Sequence, residues 1–263
     1  MARCLLVLCS VLSTALPAAA QALPAAATPD LSAYLAIVGP VVTGNLSTGK
    51  TGNTYLPVTV EFQNVGLKTI TAFTVAFDAT FPDGHVDSST QSTTDLVFNI
   101  PGAATPGGIT TNPRPTLQPG ESYELKQGII LRGEMPQLPV KVAPRVLVLV
   151  FLDRTALGGT KEVADVFKMR TSLAENMEAM IAQVLQAESA ANPDAAYAAQ
   201  IAANRSRVAA HLYVGVGEAD LQRYRKAHGW KELFQAMLSV DQNLAKVARE
   251  HSMPAAPAQE IHQ

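Results

Sequence analysis

From Leu56 to Phe62 every second residue is apolar: Leu56, Val58, Val60 and Phe62 alternate with Pro57, Thr59 and Glu61. Successive side chains of an extended chain point to opposite faces, so this stretch buries one face and wets the other only as a strand. Beyond a turn over Asn64 to Lys68, Phe73, Val75 and Phe77 repeat the alternation. Ile70 falls on the opposite parity, so one extra residue, a bulge near Thr71 or Ala72, is expected between them. A half-buried pair of strands needs a second layer over its apolar face, which restricts the chain to a layered β architecture.

Other segments extend that layer. Tyr34 to Val42 reads as a strand interrupted by Gly39-Pro40, which suits a sheet edge or a crossing between sheets. Glu121 to Leu131 sets Tyr123, Leu125, Ile129 and Leu131 on one face, after a Leu117-Gln118-Pro119-Gly120 turn. Thr94 to Ile100 gives one more strand. Val146 to Leu152 reads VLVLVFL with no alternation, so both of its faces are expected to be covered, one by the sheet core and one by something else. Phe81 to Gln118 is the least regular stretch. Nine of the twenty residues from Pro101 to Gly120 are Gly or Pro, which predicts a surface loop, disordered or acting as a mobile flap.

The character of the chain then changes. Residues 30–160 are rich in Val, Thr, Phe and Ile, whereas residues 161–252 are rich in Ala, Gln, Glu, Met and Leu. Val166, Met169, Leu173, Met177, Met180 and Val184 recur at three and four residues, the spacing of one helical stripe from Glu162 to Ser189. Asn192-Pro193-Asp194 stops that helix and caps a second one carrying Tyr197, Ile201, Val208 and Leu212, which Gly215 and Gly217 end. A short helix from Glu218 to Ala227 and a last one from Trp230 to Glu250 bring the region to about four helices, with Leu233, Phe234, Met237, Leu244 and Val247 on the last stripe. Short connections favour antiparallel packing, and these helices are the expected cover for Val146 to Leu152. The methionines read as core rather than as a pliable groove.

Residues 1–22 have a different logic. Arg3 precedes an apolar run from Leu5 to about Leu16, and Ala18, Ala20 and Ala22 follow, the pattern of a cleaved secretory signal that is too short to be a membrane span. Leu6-Val7-Leu8-Cys9 matches a lipid-attachment site poorly and stands too early. Both cysteines, Cys4 and Cys9, lie in this segment, so cleavage leaves no thiol for disulfides, nucleophilic catalysis or metal binding. Loss of Arg3 makes the formal net charge of −2 one unit more negative, and nothing in that balance recruits nucleic acid or an anionic bilayer. Residues 253–263 read as a disordered tail.

The motifs that carry chemistry are few. Asp83-Gly84-His85-Val86-Asp87 gathers two carboxylates and an imidazole, but it lacks the alternating acidic series of a calcium loop and is expected to be a hairpin turn. No two histidines stand four residues apart, so His211, His228 and His251 are expected to be isolated surface residues. No Gly-x-Ser-x-Gly elbow occurs, and Gly102, Gly107 and Gly108 do not lie between a strand and a helix as a phosphate loop requires. One basic-aromatic cluster stands out at 221–231, where Arg223 and Lys226 share a helix face near Trp230. A solvated face with one anchoring tryptophan accounts for it; contact with an acidic partner or anionic surface is the alternative.

Two turn motifs carry a resemblance. Asn64-x-Gly66-x-Lys68-x-Ile70 between two strands, with Leu117-x-Pro119-Gly120-Glu121 opening another, resembles the immunoglobulin-like β-sandwich modules of uncharacterised secreted bacterial proteins of the cell-adhesion-related type. The likeness covers about half of the chain. A second feature in common with such proteins is the polar turn Asp153 to Gly158 followed by a helical tail. The resemblance implies an α+β chain in which an immunoglobulin-like antiparallel β-sandwich precedes the helical region. It transfers no catalytic residue.

The expectation is therefore a non-catalytic, secreted or periplasmic binding or structural module of the bacterial envelope, with no cofactor and with an unidentified protein or envelope component as partner. Arg223, Lys226 and Trp230 are its candidate binding residues. Three rivals remain open: an enzyme with a loop-assembled site around His85, an inhibitor or chaperone using a sandwich edge, and an assembly protein whose methionine-lined helices pair between molecules.

Overall fold

The computed structural model describes residues 30–48, 54–98, 116–131, 138–199 and 218–255. The fold is α+β, with two antiparallel sheets and a helical region after them. In the first sheet β3 (Thr54–Asn64) is central, pairing along one edge with β6 (Ser122–Leu131) and along the other with β1 (Leu35–Thr43) and then β2 (Ser47–Thr48). The second sheet runs β5 (Val86–Asp95), β4 (Ile70–Thr80), β7 (Lys141–Phe151), β8 (Ala156–Gly158).

One core lies between the sheets. Leu56, Val58, Val60 and Phe62 of β3 and Leu125, Ile129 and Leu131 of β6 face Phe73, Val75 and Phe77 of β4 and Leu149 and Phe151 of β7. Phe62 packs against Phe73 at 5.6 Å between ring centroids, and Tyr123 meets Phe73 edge-on at 5.5 Å. Full burial of each such side chain contributes on the order of 2 kcal/mol. The pairing of β4 with β7 shifts register between Ile70 and Ala72, the bulge that the parity of Ile70 required. β1 lies at a sheet edge, and its pairing with β3 is interrupted between Val38 and Val42. Gly39 sits there at φ 78°, a backbone region that L side chains avoid.

The outer face of the second sheet is covered by α1 (Thr160–Glu188), where Val166, Phe167 and half-buried Val163 pack on Ala72, Val148 and Val150. This is why Val148 to Phe151 are buried without alternation. The remainder of α1 packs on α3 (Glu218–Glu250), with Leu173, Ala174, Met177 and Met180 against Leu244, Ala245 and Ala248. Gly229 breaks α3 at φ 87°, between the short and last helices expected from the sequence. Residues 193–199 form the described part of α2, whose first turn is capped by the Asn192 side chain, accepting from the Ala195 N–H at 3.2 Å. Tyr197 is buried against Val184 and Ala187 of α1.

Several expectations are corrected. The strand expected at Thr94 to Ile100 is instead β5, Val86–Asp95, followed by a 3-10 turn at Leu96–Phe98, so much of the stretch read as irregular is a polar strand. Its Ser/Thr/Gln sequence, VDSSTQSTTD, carries no apolar alternation because it forms a sheet edge. Leu117 is not loop surface but fully buried, bridged to Ile70. Met169 is 41% exposed, and the buried stripe of α1 runs instead through Phe167 and Arg170. Leu152 is exposed in the turn after β7. The leader at 1–22, residues 101–115, Ile201, Val208, His211, Leu212, Gly215, Gly217 and the tail beyond 255 lie outside the described residues. No described helix is long and apolar enough to cross a membrane.

Candidate functional site

The two turn motifs meet at one buried residue. The Asn64 side-chain amide donates to the carbonyls of Lys68 at 2.9 Å and Leu117 at 2.8 Å, and its Oδ1 accepts from the Gly66 N–H. Its backbone N–H donates to the Glu121 carbonyl, and its carbonyl accepts from the Gly120 N–H at 2.7 Å. The Glu121 carboxylate accepts from the Gln118 N–H, and the Gln63 amide donates to the Gly120 carbonyl. Only a short side chain with both a donor and an acceptor fits this position. The arrangement fixes the β3–β4 turn to the entry of β6 and leaves no polar group of Asn64 to act on a ligand.

At the rim, Lys68 donates to the Asp153 carboxylate at 2.7 Å and to the Thr155 hydroxyl at 3.1 Å. Hydrogen bonds from Lys68 and then Thr155 pull the Asp153 carboxyl down to about 2. Arg154, between them, takes the left-handed conformation at φ 66°.

A second polar cluster lies where the helices join the sheets. The Arg170 side chain, fully buried, donates through Nε to Asp95 Oδ2 at 2.7 Å and through Nη2 to Asp95 Oδ1 at 2.9 Å, a two-pronged pair. Its Nη2 also reaches Thr71 Oγ1 at 3.4 Å, its Nη1 donates to the His251 carbonyl at 3.3 Å, and the guanidinium lies 5.7 Å from the Phe167 ring centre. Thr71, displaced by the β4 irregularity, donates its hydroxyl to the Val150 carbonyl at 3.1 Å. One residue from α1 thereby touches β5, β4 and the segment after α3. Thr171 adds a hydrogen bond to the Ser252 carbonyl, and the Ala255 N–H donates to the Arg154 carbonyl.

His251 is not the isolated surface residue expected. Its Nδ1 is buried with no hydrogen-bond partner among the described residues. Burial, and then the Arg170 charge, lower its pKa from the ordinary histidine value, against the opposing pull of Asp95 and Glu250. No periodicity announced this environment, because it depends on α3 returning to the sheet. His228 by contrast is half exposed and lies 3.5 Å from Glu232.

Asp83 to His85 form the β4–β5 turn. The His85 ring stacks on Phe81 with centroids 4.4 Å apart and sits 2.7 Å from the Asp83 carboxylate, whose pKa the His85 hydrogen bonds lower. Both are exposed, and no third ligand joins them. Among the described residues no three His, Cys, Asp or Glu are grouped so as to hold a metal ion.

Arg223, Lys226 and Trp230 all fall on α3. Lys226 is exposed, and the Gly229 break separates it and Arg223 from Trp230, so the three do not continue along one regular helix. The strand edges offer a different surface. β1 and β6 pair only with β3, and β5 only with β4, so each presents a free edge among the described residues. Arg145 and Lys141 on β7, Lys126 and Glu124 on β6 and Gly39-Pro40 on β1 interrupt or charge their strands, whereas β5 after Asp87 is Ser, Thr and Gln up to Asp95.

Comparison with known proteins yields little. No protein-family model matches the chain, and no curated protein matches it. A solved structure described as the X-ray structure of Northeast Structural Genomics Consortium target SoR45 aligns with 49% of this chain and 90% of its own, at 11% sequence identity and a TM-score of 0.24. A likeness of that size identifies neither a fold family nor a function.

Proposed function

We propose that this chain is an exported, non-catalytic binding or structural module whose two sheets form an immunoglobulin-like sandwich, and that it works in the bacterial envelope or outside the cell, with an unidentified protein or envelope component as partner. Export is inferred from the charged, apolar and small-residue pattern of residues 1–22. The immunoglobulin-like reading rests on two antiparallel sheets around one core and on the paired turn motifs joined at Asn64. The observation that carries the functional reading is the use of the buried polar side chains. Asn64, Thr71, Arg170 and Asp95 are spent on holding sheets and helices together. Polar groups so engaged serve architecture, and recognition then falls to the exposed edges and turns.

A second reading, an inhibitor or chaperone that adds a client strand to a sheet edge, is favoured by β5. Edge strands are ordinarily blunted by Lys, Pro or bulges; positions 88 to 94 of β5 hold neither Lys nor Pro, and its one register shift against β4 lies at Ser88 and Ser89, leaving Thr90 to Asp95 regular. Main-chain pairing along such an edge gives affinity with little demand on side chains.

The test is capture from an envelope fraction with the mature chain as bait, alongside a Ser88→Lys/Gln91→Lys variant at two exposed positions of β5. Retention of the same partner by both supports a module that binds elsewhere, and loss with the variant supports edge addition. Turnover by the purified chain of any substrate released from that fraction would contradict both.

A further inference from the structure

We propose that the segment closing α3, His251 to Ala255, is a pH-sensitive latch: protonation of His251 releases the end of α3 from α1 and from the second sheet. This inference is independent of the function proposed above.

The geometry is a junction with no room for another charge. His251 Nδ1 is buried without an acceptor among the described residues, while the carbonyl of the same residue is held by Arg170 at 3.3 Å. Neutral imidazole leaves one nitrogen unsatisfied, at modest cost. Imidazolium must bury an N–H bearing positive charge, and an unpaired charge in such a site is far more expensive than an unpaired neutral group. The charged groups facing the ring come from every element around it: Arg170 from α1, Asp95 from β5, Arg154 from the β7–β8 turn and Glu250 from α3 itself. Asp95 is already committed to Arg170 by two hydrogen bonds, and the upward pull of Glu250 on His251 is opposed, more weakly, by Arg154.

The released segment is small; apart from its hydrogen bonds back to α3 and the half-exposed Arg249–Glu178 ion pair that joins α3 to α1 just before it at 2.6 Å, few contacts hold it. Beyond the Arg170 bond it is fixed by Thr171 to the Ser252 carbonyl at 3.4 Å and by the Ala255 N–H to the Arg154 carbonyl at 3.1 Å. The apolar contact just before it comes from Leu244, Ala245 and Ala248, two of which are alanines.

The sign follows from linkage. With its pKa lowered in the folded state, His251 binds fewer protons latched than unlatched. Above its ordinary value of 6.5 both states are neutral and the latch is at full strength; as the pH falls below 6.5 the open state gains the proton first and the latch weakens. The test is native-state hydrogen exchange of the full chain from about pH 7.5 to about pH 5, corrected for intrinsic exchange. The expected result is that amides of 244–255 lose protection by up to about tenfold per pH unit below the ordinary histidine value, with β3 and β4 unchanged, and that His251→Gln abolishes this dependence. Protection at 244–255 independent of pH, or the same dependence in His251→Gln, would overturn the proposal. Should that variant fail to fold, the proton NMR titration of His251 in the wild-type chain decides. A ring titrating below the ordinary value together with the loss of protection supports the latch, and one titrating at or above it overturns the latch.

Discussion

The two-sheet body and the helical region are held together by different means. The core between the sheets gathers large side chains from positions as far apart as Leu31 and Phe151, including Phe62, Phe73 and Phe77, all fully buried. Among the described residues, the interface of α1 with α3 sets Ala174, Ala245 and Ala248 around Leu173, Leu244, Met177 and Met180, with half-buried Ile181 and Phe98 beside them. Small residues let helix backbones approach closely but remove less apolar surface from water, so Ala174, Ala245 and Ala248 each gain less from burial than the rings of the body. The coupling of the helical pair to the body compensates: Val166 and Phe167 seal the outer face of the second sheet, and Arg170 joins α1 to β5, β4 and the segment after α3. The difference suggests a hierarchy, in which the body is the scaffold and the helices fold upon it.

The largest effect expected is in the body. Phe73→Ala removes a ring that touches both Phe62 and Tyr123 and should cost about 3 to 5 kcal/mol in urea unfolding. A loss below about 1 kcal/mol would break the claim that this core dominates. Next comes the junction. Arg170→Met leaves the Asp95 carboxylate buried without its partner and should cost about 3 kcal/mol, with hydrogen exchange rising first in α1 and α3. Equal loss of protection in β3 and β4 would mean that the two regions unfold as one unit. Met177→Ala, within the helical pair, should cost about 2 kcal/mol, at the low end for such truncations because small neighbours can close over the cavity. The smallest effect is at the rim. Asp153→Asn should cost less than about 1 kcal/mol, since Lys68 and Asp153 are both half exposed and solvent screens the pair. Because the folded pKa of Asp153 lies near 2, below its ordinary 3.8, the pair contributes fully above pH 3.8 and is lost as the pH falls toward 2. Urea midpoints of wild type and variant should therefore converge in strong acid.

The body was legible where one face is buried and the other wet. Leu56 to Phe62 and Tyr123 to Leu131 followed their alternation because they are covered on one side only, whereas Phe73, Val75 and Phe77 kept theirs although Thr74 and Ala76 between them are buried as well. The Ile70 parity conflict located the irregularity in β4 for the same reason. β5 escaped because an edge strand facing solvent needs no apolar periodicity; its register is supplied by β4 and by contacts such as Thr74 to Thr93 at 2.9 Å. Arg170 escaped because an arginine on a helix reads as a solvated residue until a carboxylate from another part of the chain is placed against it. Asp95 lies 75 residues away in sequence, beyond the reach of any local pattern. Composition and helical spacing alone single out Arg223, Lys226 and Trp230, and the break at Gly229 alters that spacing between Lys226 and Trp230.

A double-mutant cycle on Arg170→Met and Asp95→Leu, read by urea unfolding and by hydrogen exchange in α1 and α3, tests most directly whether the helices depend on this buried contact. The expected result is a coupling of at least about 2 kcal/mol, with the double variant recovering much of what each single variant loses, because two apolar groups replace two mutually dependent charges. Losses that add within about 0.5 kcal/mol, with the helices equally protected in all four chains, would contradict it.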